Sequence, residues 1–150
     1  HFKSVVDVIN RFVKLINPKK MYFGEKDMQQ LKIIEDFIKK NYPETKVVGC
    51  KTIREKNGIA CSSRNFLLSF DEKVIASKIY KLLIQKKQSL IKRKIYLRDI
   101  KKKIFEIGAS KIDYIEILDI NKLIKPYKNK NIYKIFIAYY LGKTRLIDNI

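Results

Sequence analysis

Histidine and cysteine are rare in this 150-residue sequence, and acid is short relative to base. Its one histidine, His1, and its two cysteines, Cys50 and Cys61, form no Cys-x-x-Cys pair and no zinc-ligand spacing. That excludes a zinc ribbon and makes a reduced, cytoplasmic protein the expectation. No apolar run approaches the roughly 20 residues that span a bilayer, and no signal peptide with a small-residue cleavage site is visible. The chain is expected to be soluble, with no membrane partner. Internal repeats and low-complexity linkers are also missing. The sequence begins at His1 without a methionine, inside what reads as the approach to a helix, so an N-terminal part of a longer protein is expected to precede it. The shortage of acid leaves 34 basic against 15 acidic residues, a net charge of +19 and a pI near 9.9. A hydrophobic content of 46% is enough for a folded core and excludes a disordered tail. Only six of the basic residues are arginine, and lysine, isoleucine and asparagine are abundant together, as AT-rich codons make them. Bulk charge is therefore weak evidence for any partner.

Apolar residues at Val5, Ile9, Phe12, Val13 and Ile16 mark one face of a helix that Asn17-Pro18 stops. Met21-Tyr22-Phe23, ending at Gly24, reads as a strand, and Leu31, Ile34, Phe37 and Ile38 mark a second helix running to about Asn41. Val47-Val48 lies in a second strand that ends near Gly49-Cys50. This order predicts part of an α/β unit with a parallel sheet, in which ligands sit beyond the carboxyl ends of the strands. Residues 51–65 are polar, with a domain boundary expected at Thr52 or Ile53, giving domains 1–52 and 53–150. Ser69 with Glu72 is a capping-box signature opening a helix whose face carries Ile75, Ile79, Leu82 and Leu83. An amphipathic segment from about Ile95 to Ile107 closes at Gly108. Strand-like runs follow at Ile112–Leu118, Ile132–Leu141 and Thr144–Ile150, the last two joined by a Gly142-Lys143 turn. The second part is thus expected to be α+β, with helices and then a three-stranded antiparallel sheet.

Two segments fall where ligand loops belong. In Gly24-Glu25-Lys26-Asp27-Met28-Gln29-Gln30 a glycine directly follows a strand, and Lys26 adds a full charge at a helix N-terminus, a place that already attracts phosphate. Lys26 and Gln30, four apart, are expected to share a face. The same residues also suit a plainer role, in which Asp27 and Gln30 form a capping box and Lys26 is a solvated charge. In the second segment, 53–65, the run Cys61-Ser62-Ser63-Arg64-Asn65 is dense in donors for phosphate oxygens, and arginine binds two oxygens through its planar fork. Its plainer reading is a turn followed by a helix cap.

Taken together, the segments resemble the pantothenate synthetase (pantoate-β-alanine ligase) family, over the C-terminal half of that family's chain. His1-Phe2-Lys3-Ser4-Val5 is similar to the family's HFxGV. Residues 23–31 are similar to FGEKD-QQL, and Thr52-Ile53-Arg54-Glu55 through Gly58 to Ser62-Ser63-Arg64-Asn65 to TVRE-G-SSRN. The ending from Leu141-Gly142-Lys143-Thr144-Arg145 to Asn149 also matches. The resemblance implies the C-terminal part of a Rossmann-like nucleotidyl-transferase domain followed by a lid domain. It also implies an ATP- and Mg²⁺-dependent, AMP-forming ligase acting on (R)-pantoate and β-alanine through a pantoyl adenylate, as a homodimer. On this resemblance Gly24, Glu25, Lys26 and Asp27 line ATP, Gln30 binds pantoate and Ile53 touches the adenine region. Cys61, Ser62, Ser63 and Arg64 close over the phosphates. Lys26 and Arg64 are the catalytic cations, with Arg54 a further candidate facing the phosphates.

The sequence departs from the family in places. The HxGH histidines and the residues expected to hold metal have no counterpart here, so no metal ligand is expected in these 150 residues, and alone they are expected not to catalyse adenylation. Ser4, Asn57 and Cys61 stand where glycine, aspartate and methionine are usual in the family. His1 is a candidate near the phosphates or second substrate. Two other functions compete. One is another adenylate-forming enzyme of the same superfamily, and the other is a basic nucleic-acid-binding module resting on Lys86–Lys103, which carries a single acid, Asp99, and one aromatic ring, Tyr96. So little aromatic interleaving favours a solvated face, and no nucleic-acid partner is expected.

Overall fold

A computed structural model of the protein describes residues 2–92, 94–120 and 133–150. The chain divides into two compact units, His1–Thr52 and Ile53–Ile150. His1, a candidate near the phosphates or second substrate, lies outside the described residues, as do Arg93 of the basic run and Ile132, the expected start of a strand.

The first unit runs α1 (Phe2–Ile16), β1 (Lys20–Gly24), a short helical turn (Glu25–Asp27), α2 (Met28–Asn41) and β2 (Lys46–Cys50). Helix α1 stops where the sequence says it should: Asn17 takes a left-handed conformation (φ 47°), which asparagine tolerates, and Pro18 cannot continue the helix. Strands β1 and β2 pair in parallel from Lys20 opposite Lys46 to Gly24 opposite Cys50, so both carboxyl ends lie at one edge. Ile9 and Val13 of α1 meet Ile34 and Ile38 of α2 in a small core, edged by Met21, Phe23 and Val47. Tyr42 donates a hydrogen bond to Asn10 Oδ1, and Thr45 Oγ1 donates to Pro18 O at 2.9 Å. Together they tie the end of α2 back to α1 and to the entry of β1. No residue of either strand is fully buried.

The second unit continues with a helical turn (Ser63–Leu67), α3 (Phe70–Ile91), α4 (Leu97–Ile107), β3 (Lys111–Asp119), β4 (Tyr133–Leu141) and β5 (Thr144–Asn149). The predicted capping box opens α3: Ser69 Oγ accepts from the Glu72 amide at 3.2 Å, and Glu72 Oε2 accepts from the Ser69 amide at 2.8 Å. Helix α4 begins at Leu97 rather than near Ile95, because Tyr96 before it is extended (φ −98°, ψ 147°). Gly108 ends it at φ 125°. A side chain there would be strained and would press on Ile75. The sheet has the order β3-β4-β5, antiparallel throughout. Its central strand β4 is nearly continuous in apolar residues and correspondingly buried. Ile79 and Leu83 of α3, Ile100 and Ile104 of α4, and Ile135, Ile137 and Leu141 of β4 form the centre of the core.

Candidate active site

The loop after β1 sits where a parallel sheet offers a ligand room. Gly24 is extended (φ −70°, ψ 133°) and needs no glycine for its backbone. A Cβ added there would meet nothing within 4 Å. Neither conformation nor packing therefore explains the glycine, and the space beside the backbone is open. Lys26 follows in the helical turn, with its side chain only 17% exposed and paired with Asp27 at 3.7 Å, so it is not a solvated surface charge. Asp27 is the N-cap of α2 but makes no side-chain capping bond, which removes the plainer role considered for it. It is 54% exposed. Gln30 stands half-buried in the first turn of α2, and Glu25 half-buried in the turn before it. The helical turn between β1 and α2 means that Lys26 precedes α2 instead of sharing a continuous helix with Gln30.

In the second unit, residues 53–65 divide into a fixed base and an exposed tip. Ile53 and Arg54 pair back onto Cys61 and Ala60: the Cys61 amide donates to Ile53 O at 2.9 Å, and Arg54 bridges Ala60. Between them the Gly58 amide donates to Glu55 O at 2.8 Å, the Ile59 amide donates to Asn57 Oδ1 at 3.0 Å, and the Glu55 amide donates to Ile59 O at 2.8 Å. Gly58 is left-handed (φ 93°), and any side chain there would run into the Tyr80 ring. Asn65 is buried and holds the far end, its Nδ2 donating to Glu55 Oε1 at 2.6 Å and to Ala60 O at 3.1 Å. Ser77 of α3 donates to Asn57 O at 2.7 Å.

What is left over is the tip. Ile53 is 76% exposed, and Cys61, Ser63 and Arg64 are exposed as well. Ser62 Oγ accepts from the Arg64 amide at 3.3 Å and caps the helical turn, so the plain turn-and-cap reading holds for that serine. Among the described residues, Ser63 Oγ and the Arg64 guanidinium make no hydrogen bond or ion pair that would give them a structural task.

Arg54, considered above as a further phosphate-facing cation, is placed otherwise. Its guanidinium forks onto Asp148 of β5 and lies over the Tyr80 ring. Burial by itself would lower its pKa, but the hydrogen bond and charge of Asp148 outweigh that and raise it above the ordinary arginine value. Nothing in local sequence spacing points to Tyr80 or Asp148 as a partner of Arg54, and Asp148 is 94 residues away. The basic run is split between the end of α3, the connection after it and α4. No helix among the described residues is long and apolar enough to cross a membrane.

The whole chain, residues 1–150, matches the family profile described as pantoate-β-alanine ligase. The chain belongs to the pantoate-β-alanine ligase family. It is 40% identical to the pantothenate synthetase of Clostridioides difficile over 154 residues, covering 99% of this chain and 54% of that protein. With the enzyme of Flavobacterium psychrophilum the identity is 39%, over 100% of this chain and 55% of the relative. Among solved structures, pantothenate synthetase from Thermus thermophilus superposes with a TM-score of 0.83 at 28% identity, over 100% of this chain and 55% of that one. The pantoate-β-alanine ligase of Francisella tularensis, solved with β-γ ATP and β-alanine, gives a TM-score of 0.77 at 35% identity, covering 100% and 50%. The chain thus spans about half the length of the pantoate-β-alanine ligase relatives it matches.

Proposed function

We propose that the chain contributes the ATP- and pantoate-binding loops of an enzyme that condenses (R)-pantoate with β-alanine. Membership of the ligase family along the whole chain carries this reading, and the geometry of the two loops supports it. In the first step the pantoate carboxylate attacks the α-phosphorus of ATP, forming an acyl adenylate as pyrophosphate leaves. In the second, the β-alanine amine attacks the activated carbonyl and AMP departs. Both anions must be brought together before the first step, so the protein's task is to neutralise and orient them.

In this proposal unit 1–52 is the C-terminal part of a Rossmann-like domain, and unit 53–150 is a lid. Gly24 leaves the backbone open to the nucleotide, Lys26 neutralises phosphate charge, Glu25 lines the nucleotide, and Asp27 accepts from the ribose hydroxyls. Gln30 hydrogen-bonds pantoate. Ile53 offers an exposed apolar surface to adenine, and Cys61, Ser62, Ser63 and Arg64 cover the phosphates, shielding the adenylate from water until the amine arrives. Among the described residues no group of three or more His, Cys, Asp or Glu could hold a metal. In this proposal the charge neutralisation that comes from this chain falls to Lys26 and Arg64. The test is the release of AMP and pyrophosphate by the full-length protein in the presence of ATP, with both pantoate and β-alanine required. The 150 residues alone are expected to show no ATP–pyrophosphate exchange. Exchange by that chain would mean that it holds a complete adenylation site.

A further inference from the structure

Arg54 lies beside the candidate phosphate ligands in sequence and is committed elsewhere in space. Its Nη1 donates to Asp148 Oδ2 at 2.7 Å and to Gly58 O at 3.1 Å. Its Nη2 donates to Asp148 Oδ1 at 3.0 Å and to Asn149 O at 3.2 Å. These bonds occupy four of the five N–H groups of a guanidinium. The Tyr80 ring lies beneath it, with its centroid 4.4 Å from Cζ. The same ring is the surface against which Gly58 must be a glycine. One side chain therefore joins the base of the 53–64 loop to β5 and to α3. The pair with Asp148 is largely sheltered, at 21% and 12% exposure, so water and salt weaken it less than a surface pair. A lysine could keep the charge but neither the fork nor the stacking.

We propose that Arg54 is a positioning residue for adenylate formation, clamped by Asp148 and seated on Tyr80 so that the loop presents Cys61–Arg64 in one fixed geometry. This rests on the ligase reading given above. Arg54 fixes the base at Gly58 and, through its bridge, at Ala60, while Asn65 fixes the far end on Glu55 and Ala60. The tip between these anchors can then aim donors at a phosphate without ordering itself at the moment of reaction. A misplacement of about 1 Å in such donors is enough to cost on the order of 100-fold in rate.

The test uses pantoate-dependent ATP–pyrophosphate exchange by the full-length protein, comparing wild type, Arg54→Lys, Asp148→Asn and the double variant, with the Tm of each. Either single change is expected to lower kcat per folded molecule by about tenfold or more, with KM for pantoate within about twofold of wild type. The double variant is expected to be no slower than the slower single, because both changes break one contact. Should Arg54→Lys fail to fold, Asp148→Asn decides alone, since it keeps the shape of the anchor and removes its charge. Variants that lose Tm but keep wild-type kcat per folded molecule, or that change KM alone, would overturn the proposal. So would an inactive Arg54→Lys beside a fully active Asp148→Asn, which would make Arg54 a direct phosphate ligand. A wild-type protein without exchange would sink the ligase reading itself and this role with it, whereas an active wild type with unaffected variants would sink the positioning role only.

Discussion

Two glycines at candidate ligand loops carry opposite meanings. At Gly58 the left-handed backbone and the Tyr80 ring both demand glycine, so Gly58→Ala should destabilise the second unit by about 1–3 kcal/mol, seen as a lower denaturation midpoint. At Gly24 neither demand exists. Gly24→Ala should leave the fold as stable as before, or up to about 1 kcal/mol more so, and, on the proposed ATP-lining role of Gly24, should still raise KM for ATP by about tenfold in the full-length protein. A fall in Tm with unchanged ATP dependence would contradict that assignment. The neighbouring side chains should separate by step and by parameter. In the full-length protein Lys26→Ala is expected to reduce exchange kcat by roughly 100-fold or more, as losing a donor aimed at developing charge does. Gln30→Ala is expected chiefly to raise KM for pantoate, by about tenfold for one lost hydrogen bond to a charged group. Pantoate dependence left intact in Gln30→Ala would remove that residue from the site.

The same three-residue spacing occurs at the starts of α2 and α3, and only one of the two became a capping box. Ser69 is extended (φ −64°, ψ 168°) and closes the box with Glu72. Asp27 leaves a helical turn at φ −97°, ψ 59° and makes no capping bond. The sequence pattern is local, whereas the N-cap conformation depends on what the chain was doing just before, and here that was a turn no periodicity announces. Ser69→Ala should therefore cost about 1 kcal/mol of stability in chemical denaturation, a loss not expected from the capping role at Asp27. Other element ends were legible because a residue type enforces them, as Asn17-Pro18 does after α1 and Gly108 after α4. The far end of α3 was not, since apolar residues such as Ile84 and Leu90 do not keep to one stripe and Ile84 is half-exposed. Within the candidate site, which loops matter was readable from glycine, charge and position after a strand. Which residues are scaffold and which are tip was not, because Arg54, Asn65 and Tyr80 take their roles from partners brought near only by folding.

Across the molecule the two units are unequally built. The first packs the cluster of Ile9, Val13, Ile34 and Ile38 against a two-stranded parallel sheet none of whose residues is fully buried, although such sheets are ordinarily covered on both faces. The second surrounds a sheet whose central strand is mostly buried. In the 150-residue chain, amides of β1 and β2 should exchange with solvent faster than those of β4, and a uniform protection pattern would argue against separate stabilities. The excess of basic over acidic residues does not map onto the site in proportion. One sheltered lysine and one exposed arginine are proposed to meet phosphate, a second arginine is tied to an aspartate, and exposed lysines such as Lys101, Lys102 and Lys103 lie along α4. The clamp also imposes an order in time. Asp148 follows Arg54 by 94 residues, an interval of roughly 5–20 s at ordinary rates of synthesis. A nascent chain halted between Arg64 and Asp148 already carries every ligand of the nucleotide proposed here and still lacks the partner that holds their loop in shape.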